Sequence, residues 1–295
     1  MVTALALSAA LAYGVADFLG GAVARKATAL KALTWCVPIG LAVVLVSALL
    51  AGGTASPGPM AWGFAAGLSG GAGLITFYRA LARGPMNVVA PVSALASAVL
   101  PVAVGIALGE RLDASVLAGV LLCLVAIGLV SMEAGDAREA AGPGPAGWRR
   151  VLDSGPAMAG VSGTCFGIFF ILLKAAGDGT GLWPIVGARV GNLVIVAAAL
   201  LFMVLRGGGL GPRVSGRTLI GLALLSGTLD AGANVLYFLA AHGGMLSLAA
   251  VLTSLYPAIT VLLARIAYSE RLRVIQRVGM GVAVAGVALV TAGAN

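Results

Sequence analysis

The chain has 295 residues, of which 60% are hydrophobic and only 9% are charged, and its mean hydropathy is +1.08. A soluble domain carries roughly a quarter charged residues, so this composition excludes a soluble enzyme or binding module and predicts an integral membrane protein. The formal net charge is +8, but the basic residues are scattered over short loops, which argues against a nucleic-acid-binding patch.

Apolar runs of the length that crosses a bilayer, about 20 residues, recur along the whole chain. Because the runs are continuous rather than alternating, they predict helices and not barrel strands. We predict ten helices, near 3–24, 31–51, 60–82, 86–108, 113–132, 155–176, 183–205, 217–241, 245–268 and 273–293. The first run has neither a basic leader nor a clear cleavage site, so we expect it to be retained as a helix and not removed as a signal peptide.

A charged stretch rich in Gly and Pro, "EAGDAREAAGPGPAGWRRVLD", interrupts the apolar series at its midpoint. Such a composition is typical of a solvated connector. We therefore divide the chain into a first five-helix repeat at 1–132, a linker at 133–154 and a second five-helix repeat at 155–295.

One charged phrase is written twice, as "GERLDASVLAG" and as "SERLRVIQRVG". The second copy lies 160 residues after the first and brings Glu270 and Arg271 onto Glu110 and Arg111. Five helices carry the chain to the other side of the membrane, so a second copy must be inverted relative to the first. The predicted fold is an all-α membrane protein with ten transmembrane helices arranged as two inverted five-helix repeats. For the charged phrases we favour a structural role in a tight interfacial turn, with a gating ion pair as the alternative.

An earlier pair of motifs, "AYGVADF" and "CFGIFF", matches at an offset of 153 residues. With the repeated "ERL" phrase followed by a Gly-bearing last helix, the chain resembles the EamA family of the drug/metabolite transporter superfamily. The resemblance covers nearly the whole chain and implies a ten-helix carrier of metabolites, amino acids or drugs, often an exporter. Pro257 matches the family's proline in helix nine. The first half has Ser97 there and Pro101 four residues later, so we expect the two halves to bend differently.

Two carboxyl groups lie inside predicted helices, where a charge costs about 2.5–3.5 kcal/mol unless a partner or a cavity receives it. Asp17 has Tyr13 one turn earlier, and Asp230 is followed by Asn234 and Tyr237 at helical spacing. Neither carboxyl is repeated in the other half, as expected of a binding site for an asymmetric substrate. We therefore interpret this group as a substrate- or proton-binding site. The alternative is a pair of buried, hydrogen-bonded helix ties.

Weaker candidates for the same site are Arg189, Tyr256, Trp35 and Tyr78. Arg189 lies within helix seven and is suited to pairing either with a substrate carboxylate or with an acidic residue of the protein. Each aromatic residue suits a cavity wall, but interface packing or contact with lipid explains it equally well.

The chain shows no pattern for metal or cofactor binding. Cys36, Cys123 and Cys165 stand singly in separate apolar runs, and His242 is the one histidine, so we predict no metal site, no cofactor and no disulfide framework. The 44 glycines point to close helix packing. Four pairs have GxxxG spacing: Gly63/Gly67, Gly105/Gly109, Gly163/Gly167 and Gly187/Gly191.

The leading functional hypothesis is a secondary transporter of small solutes, exporting by alternating access, with proton coupling left open. The rival is an integral-membrane enzyme acting on a lipid or isoprenoid, although no cluster of acids or histidines for such chemistry stands out. A phosphate-binding GxxxxGK[ST] loop is not found, which argues against an ATP-driven pump. We expect a multi-pass plasma-membrane protein whose partners are a small-molecule substrate and the bilayer. A monomer is compatible with the sequence, which fixes no oligomeric state.

The basic residues are distributed unevenly between the two sides of the membrane. Of the 18 Lys and Arg residues, Arg111 and Lys174 fall in loops after even-numbered helices and Arg189 falls inside a helix, which leaves fifteen after odd-numbered helices. Basic loops stay in the cytoplasm, so the distribution predicts that both termini lie outside, opposite to the common picture of the EamA family.

Reporter fusions at the C-terminus test this orientation. Alkaline phosphatase is expected to be active there, because it folds only outside the cytoplasm, and green fluorescent protein is expected to stay dark. The reverse pattern, an inactive phosphatase fusion and a fluorescent green fluorescent protein fusion, would place the termini inside.

Overall fold

The chain folds as a bundle of helices joined by short turns. The computed structural model describes residues 1–83, 86–110, 113–131, 155–177, 179–206, 216–268 and 274–293. In these ranges the helices are α1 (Val2–Lys26), α2 (Ala29–Ala51), α3 (Pro57–Arg83), α4 (Met86–Ala107), α5 (Ala114–Ser131), α6 (Gly155–Ala175), α7 (Trp183–Leu205), α8 (Arg217–His242), α9 (Leu246–Thr253), α10 (Tyr256–Tyr268) and α11 (Val274–Gly293).

Six of these helices, α1, α2, α3, α6, α7 and α8, are long and apolar enough to cross a membrane, and four shorter apolar stretches lie at 92–107, 114–126, 246–260 and 277–286. Large apolar side chains such as Leu50, Leu205 and Val284 are on the outside of the bundle and mostly exposed, where lipid tails solvate them. The chain is an integral, multi-pass membrane protein, and the ten predicted helical regions are present.

Helices of the N-terminal half pack mainly on helices of the C-terminal half. The α3 helix packs against α6 and α7, and α8 packs against α1 and α2. In the same way α4 packs on α6, while α1 packs on α9 and α10. The α5 and α11 helices pack on each other, as do α4 and α9. The core is therefore an interface between the halves rather than two separate cores.

Glycines make the contact between α3 and α7 possible. A side-chain carbon at Gly63 or Gly67 would run into the backbone of Pro184 or Ala188 on α7, and one at Gly187 or Gly191 would run into the backbone of α3. The GxxxG prediction is confirmed for these two pairs, which face each other. It also holds for Gly163 and Gly167, which lie against the backbone and side chains of α4.

The fourth glycine pair does not form such a contact, and the prediction there was wrong. Gly109 has φ +89° and nothing lies within 4 Å of the position of a side-chain carbon, so it serves the turn after α4, where a left-handed conformation favours glycine. Gly105 faces the carboxylate of Glu110 and the hydroxyl of Ser247 rather than the backbone of a neighbouring helix.

The ninth predicted helix is broken rather than continuous, which corrects the span expected at 245–268. The α9 helix ends at Thr253 and α10 begins at Tyr256. Pro257 has no N–H to donate to the carbonyl four residues earlier, that of Thr253. Side-chain hydroxyls lie at this break, as is common where a helix is interrupted in lipid. Ser254 Oγ, within the break, lies 3.3 Å from Ser97 Oγ on α4. By contrast α4 runs unbroken through Ser97 and Pro101.

Glu110 joins the two halves instead of ordering only its own turn. Its carboxylate accepts hydrogen bonds from the backbone N–H of Leu246 at 2.6 Å and of Ser247 at 3.1 Å, and from the Ser247 hydroxyl at 2.6 Å. These N–H groups belong to the first turn of α9, which has no intrahelical acceptors for them. Glu110 therefore caps a helix of the other half. Its predicted companions Arg111, Glu270 and Arg271, and the linker, lie outside the described residues.

The glycine contact between α3 and α7 predicts a position-specific loss of stability. Gly67→Val is expected to lower the midpoint of thermal unfolding in detergent by several degrees, because overpacking of a tight contact costs about 1–3 kcal/mol. The control is Gly58→Val on the same helix, since nothing lies within 4 Å of a side-chain carbon there. Equal midpoints for the two variants would contradict the assigned packing.

Candidate functional site

A cavity of about 40 Å³ lies in the interior of the bundle, between the two halves. Seven helices form its wall, α1, α3, α4, α6, α7, α8 and α10. The residues that line it are Tyr13, Asp17, Gly70, Leu74, Ser97, Phe166, Phe169, Phe170, Asn192, Asp230, Asn234 and Tyr256. We call it the central cavity.

Asp17 and Tyr13 reach the central cavity from one face of α1. Glycines on and beside this face make close contacts: a side-chain carbon at Gly14 would meet Ile259 and the backbone of Tyr256, and one at Gly20 would meet the Tyr78 hydroxyl. These contacts fix the rotation of α1. No hydrogen bond or ion pair joins the Asp17 carboxyl to any residue that the structure describes.

Asp230, in contrast, is paired. Arg189 Nη1 donates to Asp230 Oδ2 at 2.5 Å, and Arg189 Nη2 donates to the backbone carbonyl of Asp230 at 3.0 Å. The Asn234 amide donates to the same carbonyl at 2.7 Å. The arginine side chain is 2% exposed and the aspartate 20%, so the guanidinium is buried behind the carboxylate. A buried charge persists where it is paired and hydrogen-bonded, and both conditions hold for Arg189.

Small residues make room for the guanidinium between α2, α7 and α8. A side-chain carbon at Gly40 would lie 3.2 Å from Arg189 Nη1, and one at Gly227 would run into the backbone carbonyl of Cys36. A second, smaller cavity of about 10 Å³ lies on this side of the ion pair and is lined in part by Arg189 and Tyr78. The Arg189–Asp230 pair therefore separates the two cavities.

Asn192 belongs to the central cavity although the sequence argument did not select it. Its side chain is 5% exposed, and its Oδ1 is without a hydrogen bond within the described part of the chain. Gly70 and Gly71 lie opposite, and a side-chain carbon on either would stand 3.3 Å from that oxygen. The available sequence signal was a polar residue one turn after Arg189 on an apolar helix.

One wall of the central cavity is aromatic and comes from α6. Phe169 and Phe170 stack edge to face with ring centroids 5.5 Å apart, and Phe166 lies beside them on the same helix. The rings of Tyr13 and Tyr256, which also line the cavity, are 6.2 Å apart. The three phenylalanines do not stand out in the sequence, because apolar aromatic residues are common throughout such a chain.

The remaining predicted residues lie away from the central cavity. Tyr237 is fully buried and stacks on Phe170 at 4.2 Å between centroids. Tyr78 is 3% exposed, and its hydroxyl lies 3.4 Å from Ser226 Oγ. Trp35 is 41% exposed on the outside of the bundle, which is a lipid-facing position. Pro257 stands in the first turn of α10, next to Tyr256 of the cavity wall.

The electrostatic character of the central cavity follows from these pairings. The Arg189 and Asp230 charges neutralise each other, so the Asp17 carboxyl is the unpaired ionisable acid among the lining residues. Asn192 Oδ1 and the Tyr256 hydroxyl add two further oxygens without a hydrogen bond among the described residues, and most of the rest of the surface is apolar. The cavity can therefore accept a proton or a hydrogen-bond donor at Asp17 and cover an apolar group with its aromatic wall.

Comparisons with known proteins agree with this architecture. Residues 153–292 match the sequence model of the EamA-like transporter family. A solved crystal structure of another protein superposes with a TM-score of 0.69 and 22% sequence identity, covering 99% of this chain and 96% of that chain. At that identity the likeness shows the fold. No match is found among curated proteins.

The buried ion pair predicts unequal effects of its two members on stability. Asp230→Ala is expected to lower the melting midpoint more than Arg189→Gln, because it leaves a guanidinium that is 2% exposed without its counter-charge, whereas the carboxylate left by Arg189→Gln is 20% exposed. Breaking a buried pair costs about 3–5 kcal/mol, reduced here by the partial exposure of Asp230. The double variant is expected to recover part of the loss, and strictly additive losses would contradict the pairing.

Proposed function

Because residues 153–292 belong to the EamA-like transporter family of the drug/metabolite transporter superfamily, we propose that this protein is a secondary transporter. It moves a small solute through the central cavity by alternating access. The observation that carries the proposal is an interior cavity walled by both halves of the chain and holding an unpaired carboxyl group. Such a group in the membrane interior has a cost that a binding role explains.

Two inverted five-helix repeats form the proposed frame, at 1–132 and 155–295. The helix pairings support it, because exchanging the halves turns the α3–α7 contact into the α8–α2 contact and the α1–α8 contact into the α6–α3 contact. The family match covers the second repeat. In transporters built from inverted repeats, substrates bind near the midplane where the repeats meet, and a central cavity lined by residues of both halves supports such a site.

Alternating access needs the cavity to widen and to open to one side at a time. A volume of about 40 Å³ suits a few water molecules and is far below the roughly 300–1,000 Å³ of a pocket that encloses a drug-sized ligand. The break between α9 and α10 offers a hinge in the wall, since backbone hydrogen bonding is already interrupted there. The glycine contacts between α3 and α7 let helices slide with few interlocking side chains.

Asp17 is the proposed binding group for the substrate or for a coupled proton, and export from the cell is the proposed direction, as for many relatives. A carboxyl group can hold either a proton or a positively charged or hydrogen-bonding ligand, so exchange of a proton for a substrate at one group is a feasible coupling step. Asp230 holds Arg189 in the wall and acts by positioning.

A growth screen identifies the solute. Cells that overproduce the protein are exposed to a panel of toxic amino-acid analogues, amines and drugs. Protection against a subset of compounds is expected, and Asp17→Asn is expected to abolish it. The control Asp113→Asn removes an exposed carboxyl before α5 and should protect as the wild type does.

Counterflow in proteoliposomes then separates a carrier from an enzyme or a receptor. Vesicles loaded with the unlabelled solute are expected to accumulate the labelled solute from outside, and Asp17→Asn is expected to lower the initial rate at least tenfold. An imposed pH gradient should change the wild-type rate and leave the residual rate of the variant unchanged. If no compound against which the protein protects cells shows counterflow, the carrier function is refuted. Full activity of Asp17→Asn would refute the role of the Asp17 carboxyl group.

A further inference from the structure

We propose that the central cavity selects monovalent organic cations, namely protonated amines that carry an apolar or aromatic group, and that Asp17 and Asn192 together bind the ammonium group. This inference rests on the proposed transport function and names the chemical class of its substrate. It depends on which polar atoms of the cavity are already paired within the protein and which are not.

The charges available to a ligand in the central cavity are negative. Asp17 has no counter-ion among the described residues, whereas Asp230 is compensated by Arg189. When Asp17 is ionised, a neutral ligand would leave its carboxylate without a counter-charge in an apolar surrounding, and an anion would add repulsion. A single positive charge compensates it, as buried charges require.

Arg189 does not serve as a receptor for an anionic ligand. Its two terminal nitrogens are engaged by the side chain and the backbone of Asp230, and Arg189 lines the smaller cavity rather than the central one. A substrate carboxylate would have to displace Asp230 from the guanidinium. The sequence alone left open whether Arg189 binds a substrate or a protein acid, and the observed pairing favours a position in the wall.

Asn192 points to a ligand that donates hydrogen bonds. Its Oδ1 is buried, lines the central cavity and is unpartnered within the part of the chain that the structure describes. A buried acceptor without a donor costs about 1–3 kcal/mol, which a ligand N–H would recover. A primary ammonium group has three N–H donors, and both Asp17 and Asn192 line the cavity that would hold it.

The apolar part of the ligand fits the other side of the same cavity. Phe166, Phe169 and Phe170 line the cavity from α6, and Tyr13 and Tyr256 add two further aromatic rings. Aromatic faces stabilise both apolar groups and cations that lie over them. The cavity is narrow between Gly70 and the Phe169 ring. A side-chain carbon at Gly70 would stand 2.9 Å from that ring.

Binding to the purified wild-type protein tests the ligand class without any variant. Three probes share one phenyl-alkyl body and differ in the polar group: 2-phenylethylammonium, 2-phenylethanol and 3-phenylpropanoate. Titration calorimetry in nanodiscs is expected to show binding of the ammonium probe, at least tenfold weaker binding of the alcohol, and none of the carboxylate. Binding of the carboxylate, equal binding of ammonium and alcohol, or no binding of the ammonium probe would overturn the proposal.

Variants then assign the two polar contacts. Asp17→Asn and Asn192→Leu are each expected to weaken ammonium binding at least tenfold, and Asp17→Asn is expected to remove the preference for the ammonium probe over the alcohol. Asp113→Asn is the matched control for a lost carboxyl group. Size-exclusion elution and the melting midpoint of each variant establish that it is folded, and unchanged ammonium affinity in a folded Asp17→Asn protein would overturn the assignment.

The binding test and the counterflow test fail in different ways. If the protein is a carrier for another class of solute, counterflow proceeds with a solute from the growth screen while the ammonium probe does not bind. If the protein is not a carrier, the ammonium probe binds with the expected selectivity but produces no counterflow.

Discussion

The ion pair between Arg189 and Asp230 is the interaction on which the interior of this protein depends. It connects α7 to α8 at the boundary between two cavities, and it cancels two of the charges buried in the bundle core. Because Asp230 is committed to Arg189, Asp17 becomes the unpaired acid of the central cavity. The central cavity thus has one unpaired carboxyl group, although Asp17 and Asp230 look equivalent when the sequence is read alone.

Small residues make that arrangement possible. In a bilayer, helices associate through close packing rather than through a hydrophobic effect between them, and the contacts at Gly63, Gly67, Gly187 and Gly191 bring backbones together with little interlocking. Gly40 serves the ion pair directly by leaving space at the guanidinium. The same small residues that allow dense packing also leave helix faces able to move past one another, which a carrier requires.

The sequence predicted the helices well, since apolar runs of bilayer length have few alternatives. It also selected Asp17, Tyr13, Asp230, Asn234 and Tyr256, all of which line the central cavity. These residues were selectable because a polar side chain inside an apolar helix is costly and therefore rare. It did not reveal that Asp230 is paired and Asp17 is not, because pairing depends on the rotation of α7 and α8 about their axes. The break before Pro257 was expected only as a bend, since Pro101 lies within an unbroken helix and proline alone does not decide the outcome. Asn192 and the phenylalanines were missed because only the fold distinguishes a cavity wall from ordinary packing.

Cysteine accessibility tests most directly whether this cavity is the point through which solute passes. Leu74→Cys places a thiol in the cavity wall, in a background where Cys36, Cys123 and Cys165 are replaced by serine. A membrane-impermeant maleimide is predicted to label it in right-side-out vesicles and in inside-out vesicles, while Val284→Cys on the lipid-facing surface stays unlabelled in both. Labelling of Leu74→Cys from one side only, or from neither, would contradict an alternating central chamber.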